Sequence, residues 1–166
     1  MNVLRTSSLI LAALLLTGMA QKQAMTIRFH IEAKGQEGAP FSMPVKFMNP
    51  PREGFMSSVP SISERNIVAI YPVQNASGSW GCAFKLDEDG RIGLETLSRE
   101  HSGASMVAFV ATKTGTHQVI DVVIDKPVTD GILYLPYGFT ANEIEMFKKR
   151  FQLFGPGASV PKKKGK

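Results

Sequence analysis

The stretch GILYLPYGFTANEIEMFKKRF, residues 131–151, contains the most sharply defined structural boundary in the chain. Ile132–Tyr137 is rich in β-branched and aromatic residues, which favour a strand. Pro136 lacks the N–H that a central strand needs, so it favours a strand edge or a strand end. Thr140 and Glu143 have the spacing of a capping box. The stretch therefore predicts a strand that stops and a helix that begins at Thr140.

The helix that follows this boundary carries an apolar stripe. Ile144, Phe147 and Phe151 recur at intervals of three and four residues, which places them on one face. The basic run Lys148–Arg150 suits the negative end of the helix. We therefore expect this helix to pack its phenylalanines against a sheet.

The stretch LDEDGRIGLETLSREHSG, residues 86–103, resembles a calcium loop at first sight. With Gly90 at the sixth position of such a loop, an acid is required at the first position and Glu at the twelfth. Lys85 and Thr96 occupy those positions, so the stretch does not match a calcium-binding loop. Asp87 is a good N-cap, and a second helix is predicted instead, ending near Gly103.

The remaining apolar segments predict a sheet. Alternating or apolar runs suited to strands lie at Met25–Ala33, Val45–Phe47, Ile67–Tyr71, Trp80–Leu86, Ser105–Thr112 and His117–Asp125. The stretch from Arg52 to Ser61 is expected to be irregular because Pro60 interrupts it. The sequence therefore predicts one α+β domain, residues 21–154, with a mostly antiparallel sheet and two helices packed on one face.

The two ends of the chain are predicted to lie outside this domain. Residues 1–20 have a basic start, a short apolar run and small residues before position 21, as a cleavable signal peptide does. Cleavage should leave Gln21 at the N-terminus and no transmembrane segment, so the protein is expected to be exported, periplasmic or secreted. A signal segment that is kept as an uncleaved membrane anchor is the alternative. Residues 155–166 are predicted to be a flexible tail with basic residues from Lys162 to Lys166.

Charge and cysteine content exclude some classes of partner and of structural cross-link. The chain has 19 Lys and Arg residues and 14 Asp and Glu residues. Four of the lysines lie in the predicted tail and one arginine lies in the predicted signal peptide, so the predicted domain between them has no net charge. A nucleic-acid binder would carry its charge on a folded face, so nucleic acid is not an expected partner. The tail could touch anionic surfaces. One cysteine, Cys82, cannot form an internal disulfide, and an exported protein without disulfides points to a bacterial source.

The strongest candidates for chemistry are Asp121, Asp125 and His117, which suggest a small secreted hydrolase as one function. The two aspartates are expected on the strand face that carries Val119. Strand residues four apart are about 13 Å apart, too far to share a proton. The three histidines fall on three separate predicted elements, so no catalytic residue, metal or cofactor is predicted.

Residues 67–151 resemble the head subdomain of the first periplasmic domain of SecD/SecDF, a protein-translocation accessory. The pattern is a strand, D-x-x-G, a helix ending in L-S with a later glycine, apolar strands, and G-F-T opening a final helix. The matching residues are Phe84, Leu86, Asp87, Gly90, Leu94, Leu97, Ser98, Gly103, Pro127, Gly131, Gly138, Phe139, Thr140, Glu143 and Ile144. The family's S-A-P step is absent here. The resemblance implies an extracytoplasmic module whose relatives contact polypeptides, without the membrane part that drives them.

The function predicted from these features is a non-enzymatic envelope module that binds protein or peptide. Its candidate binding residues are Phe47, Met48, Phe55 and Met56, with Met43 nearby, because methionine and phenylalanine surfaces adapt to varied partners. The same side chains could instead cover one end of the core. The hydrolase remains the alternative.

Overall fold

The computed structural model describes residues 25–33 and 40–156. The strands are β1 (Thr26–Ile31), β2 (Ser42–Met48), β3 (Pro51–Ser57), β4 (Ile62–Ser63), β5 (Ile67–Gln74), β6 (Trp80–Leu86), β7 (Ser105–Thr112), β8 (Gly115–Val123), β9 (Ile132–Phe139) and β10 (Gln152–Leu153). The α-helices are α1 (Glu88–Glu100) and α2 (Ala141–Arg150). The predicted signal peptide and the lysines of the predicted tail lie outside the described residues.

Within the described residues the strands form three sheets, so the predicted α+β fold with one sheet and two helices on one face is wrong. The first sheet has the order β4-β1-β7-β8 and the second the order β10-β5-β6-β9, while β2 and β3 form a separate hairpin. Among these pairings β10 with β5 is parallel and the others are antiparallel. Alternation along a strand shows which side chains share a face, but it does not specify the neighbouring strand.

The two large sheets and both helices enclose one core, centred on Phe84 of β6. Its ring lies 5.6 Å from that of Phe29 in β1, 5.9 Å from Phe139 in β9 and 5.6 Å from Phe147 in α2. All three contacts are edge-on, the arrangement that aromatic rings favour. Leu94 of α1 belongs to the same buried cluster. The helices therefore complete a core that lies between two sheets.

The two large sheets approach each other at their β8 and β9 edges. Gly138 of β9 has a φ of 106°, and a Cβ there would lie 2.6 Å from the carbonyl oxygen of Val119 in β8. A side chain would be excluded on both grounds. This glycine allows the close approach of the two edges.

Both predicted helix starts are confirmed. The amide of Glu143 donates to Thr140 Oγ1 at 3.2 Å, and the amide of Thr140 donates to Glu143 Oε2 at 2.9 Å. At α1, the amide of Gly90 donates to Asp87 Oδ1 at 2.8 Å. Caps depend on residues three apart in sequence, so they can be predicted without the tertiary structure.

The prediction that Arg52–Ser61 is irregular is wrong as far as Ser57. β3 pairs with β2 along its whole length, from Ser42 opposite Ser57 to Met48 opposite Pro51. Pro44, Pro51 and Gly54 weaken the strand signal in the sequence. They are tolerated because the hairpin is only two strands wide, and each strand has an edge where a proline needs no ladder partner.

Candidate functional site

The β2–β3 hairpin packs on the outward face of the first sheet. Val45, Phe47 and Met56 turn toward that sheet and form a small buried cluster with Val107 of β7. Phe109, also on β7, packs against the edge of this cluster. The cluster is separate from the main core, so the hairpin is a second layer over one sheet.

A buried carboxylate fixes the turn of the hairpin. Asp121 of β8 is fully buried, and its two oxygens accept hydrogen bonds from the amides of Met48 at 2.5 Å and Asn49 at 2.9 Å. Gln118 adds a hydrogen bond from Nε2 to the carbonyl oxygen of Lys46 at 3.1 Å. Charge-assisted hydrogen bonds are about twice as strong as neutral ones, so Asp121 is the main anchor of the turn.

A second anchor holds the start of β3 through Arg52. Its guanidinium makes two hydrogen bonds of 2.6 Å with the carboxylate of Glu32, and lies 4.0 Å from the ring centre of Phe47. Glu32 also accepts the amide of Ser105 at 2.9 Å. The hydrogen bonds from Arg52 are the main reason that the pKa of Glu32 lies below its ordinary value.

The end of β3 is held by His30. Its Nδ1 donates to the carbonyl oxygen of Ser57 at 2.9 Å, and its ring meets that of Phe109 edge-on at 5.8 Å. Burial is the largest cause of a lowered pKa for His30, and the nearby charge of Arg28 acts in the same direction. His30 is therefore a neutral donor at neutral pH.

The anchored hairpin exposes large apolar side chains, which we together call the hairpin surface. Its members, with their exposed fractions, are Phe41 at 64%, Met43 at 39%, Met48 at 50% and Phe55 at 43%. Met48 and Phe55 lie on the outer face of the hairpin, whereas Met43 lies on the face that turns toward the first sheet. A shallow depression of about 420 Å³ lies between Pro44 and Phe55. Beside it, the ion pair of Lys46 and Glu53 spans 3.7 Å and is almost fully exposed, so it adds little stability.

The structure divides the candidate residues of the sequence analysis into two groups. Phe47 and Met56 are 2% and 6% exposed and belong to the cluster under the hairpin. Met48 and Phe55 lie on the hairpin surface. The sequence analysis missed Phe41 because it stands in a loop-like context. The period-two alternation of β2 would have separated the inward residue Phe47 from the outward residue Met48.

The three residues of the hydrolase alternative have separate surroundings. A one-residue bulge in β8 turns Asp121 toward the hairpin, away from the core face that carries Val119. Asp125 is exposed beyond the end of β8. His117 lies 3.4 Å from Glu143 of α2, beside a cleft that neither aspartate lines.

Other potential sites show no clustered chemistry in the described residues. Burial raises the pKa of the Cys82 thiol to about 12, so this cysteine is a core residue. Within residues 25–33 and 40–156, no three His, Cys, Asp or Glu side chains are grouped as a metal site would require. No helix in this part of the chain is long and apolar enough to span a membrane.

Comparison with solved structures finds a similar fold. The structure of SecDF, a membrane component that enhances protein export, matches with a TM-score of 0.51 and 12% identity over 80% of this chain and 68% of the other. SecDF in its super-membrane-facing form matches with a TM-score of 0.48 and 14% identity, over 74% of this chain and 18% of that one. No family model and none of the curated proteins matches. The chain thus has a SecDF head-like fold, and the similarity extends beyond residues 67–151.

Proposed function

We propose that this protein is an exported, non-enzymatic module of the cell envelope that binds extended polypeptide through the hairpin surface. The observation that carries this proposal is the exposure of Phe41, Met43, Met48 and Phe55 on one firmly anchored hairpin. The similar fold of SecDF, described as enhancing protein export, supports a role in the same process. The leader-like residues 1–20 support export.

Binding is expected to cost little conformational entropy, because the apolar side chains stand on a backbone that is already ordered. Asp121, Arg52 and His30 hold the hairpin backbone in place, so a ligand need not order it. Burial of apolar area contributes roughly 25 cal/mol per Å². The methionine side chains can adjust to different partners, which suits a surface that must accept varied sequences.

The test compares two double variants with the wild type. The probe is a fluorescein-labelled, unstructured peptide that contains leucine and phenylalanine, and binding is followed by anisotropy. Met48→Ser combined with Phe55→Ser should weaken binding about tenfold, because two apolar contacts are lost. The matched control is Val68→Ser combined with Ile92→Ser, at two apolar residues that are 45% and 49% exposed on β5 and α1.

The control pair should bind the peptide as the wild type does, and both double variants should keep the wild-type circular dichroism spectrum. Equal weakening in both pairs would mean that binding is unspecific. An unchanged affinity in the hairpin pair would place the binding site elsewhere and overturn the proposal.

A further inference from the structure

The register of the first sheet shows that the hairpin covers only part of the sheet's outward face. The outward residues of β1, β7 and β8 form three rows, which are His30–Val107–Asp121, Arg28–Phe109–Gln118 and Thr26–Ala111–Thr116. The hairpin lies over the first row and reaches Gln118 in the second row. The third row is outside these hairpin contacts and forms one side of a groove.

This groove, which we call the Arg28 groove, has a volume of about 330 Å³. Its lining includes Thr26, Arg28, Met43, Phe109, Ala111 and Thr116. Met43 shares the strand face of Val45 and Phe47, which turns toward the first sheet, so the groove lies beside the buried cluster under the hairpin. Its apolar part combines a flexible methionine, an aromatic ring and an alanine, which can accommodate an apolar side chain.

The charge of the groove is unbalanced. Arg28 is exposed, and within the described residues no carboxylate lies within ion-pair distance of it. Glu32 and Asp121 have other partners, since Glu32 pairs with Arg52 and Asp121 accepts hydrogen bonds from the hairpin amides. His30 carries no charge at neutral pH because burial lowers its pKa. Arg28 therefore gives the groove a positive charge that a ligand could balance.

We propose that the Arg28 groove binds an extended peptide segment in which an acidic residue stands next to apolar residues. This inference rests on the proposed function and specifies the class of polypeptide. The carboxylate would pair with the Arg28 guanidinium, which can bind both of its oxygens. The neighbouring apolar side chain would lie against Phe109, Ala111 and Met43. The groove thus supplies sequence preference that the neutral hairpin surface lacks.

The experiment uses three labelled peptides that share their apolar residues and differ at one position, which is Asp, Asn or Lys. The wild type should bind the Asp peptide about fivefold more tightly than the Asn peptide, in the range of a partly exposed ion pair. Added salt should reduce this difference. Arg28→Glu should reverse the preference, so that the Lys peptide becomes the tighter ligand. Arg65→Glu, at an exposed arginine outside the groove, is the matched control and should keep the preference for Asp.

The position of the bound peptide is followed by amide chemical shifts, which should change at Ala111 and Thr116. If all three peptides bind the wild type equally and Arg28→Glu changes nothing, the groove inference is wrong while the proposed function stands. Shift changes confined to Met48 and Phe55 would have the same meaning. If none of the peptides binds the wild type, the proposed function itself fails.

Discussion

Two carboxylates in this protein have hydrogen-bond partners at very different separations along the chain. Glu143 is buried and finds its partner three residues away, in the hydroxyl and amide of Thr140. Glu32 finds its partner twenty residues away, in Arg52. The first pair follows from local spacing, whereas the second exists only because the hairpin folds back over the first sheet. Both can be tested by single substitutions.

Thr140→Ala should reduce the free energy of unfolding by about 1 kcal/mol, because the amide of Glu143 loses its acceptor at the start of α2. Urea unfolding followed by circular dichroism measures this change. Thr129→Ala is the matched control, since Thr129 is exposed in a loop. Equal effects of the two substitutions would mean that the cap does not stabilise the helix.

The Glu32 ion pair should be visible as a pH dependence of stability. The pKa of Glu32 in the folded protein is held below its ordinary value of 4.5, mainly by Arg52. Its contribution to stability is therefore present above pH 4.5 and is lost as pH falls through the folded-state pKa. Wild type should be more stable than Glu32→Gln at pH 7, and the difference should shrink below pH 4.5. Urea unfolding at several pH values measures this, and a difference that stays constant down to pH 2.5 would contradict it.

At the scale of elements, the β2–β3 hairpin is the part of the fold that depends most on polar anchors. Its buried cluster with Val107 is small, and it stands apart from the main core. Segments with few buried apolar contacts open at lower free energy than the rest of a protein. The hairpin should therefore be able to loosen while the two large sheets stay folded.

Asp121→Ala should loosen the hairpin turn selectively, because the amides of Met48 and Asn49 lose their acceptor. Hydrogen exchange should become faster by at least about tenfold, equivalent to 1.4 kcal/mol, at Met48 and Asn49. Amides of β6 should keep their protection. Asp125→Ala, at an exposed aspartate, is the control. Faster exchange throughout the molecule would show that the hairpin unfolds only with the core.

At the scale of the whole molecule, one aromatic residue connects elements that are far apart in sequence. Phe84 contacts rings from β1, β9 and α2, so it links the first sheet, the second sheet and a helix. A shared core of this kind makes separate unfolding of either large sheet unfavourable. The two sheets and two helices should therefore unfold together.

Phe84→Ala should reduce the free energy of unfolding by roughly 3–5 kcal/mol through loss of packing and creation of a cavity. Fluorescence of Trp80, which lies in the second sheet, and far-ultraviolet circular dichroism should report coincident urea transitions in wild type and variant. Tyr134→Ala, at a residue that is 48% exposed on the same sheet, should have a much smaller effect. Separate transitions from the two probes would show that the sheets are independent.

The local elements of this fold could be predicted because their causes are local. The Thr140 and Asp87 caps and the alternation of Ile27, Phe29 and Ile31 involve residues within a few positions of one another. The hairpin strand at Pro51–Ser57 could not be predicted in the same way. Its proline and glycine have poor strand propensity, and only pairing with β2 and packing on Val107 compensate for it.

The sequence by itself determined the helix boundaries, most strand positions and the similarity to the SecDF head. The tertiary structure decided that the strands form three sheets, that Asp121 anchors a turn, and that Met48 and Phe55 are exposed while Phe47 and Met56 are buried. The physical reason is the range of the interactions. Caps and alternation act within a few residues, whereas strand pairing and the burial of a side chain depend on segments brought together from distant parts of the chain.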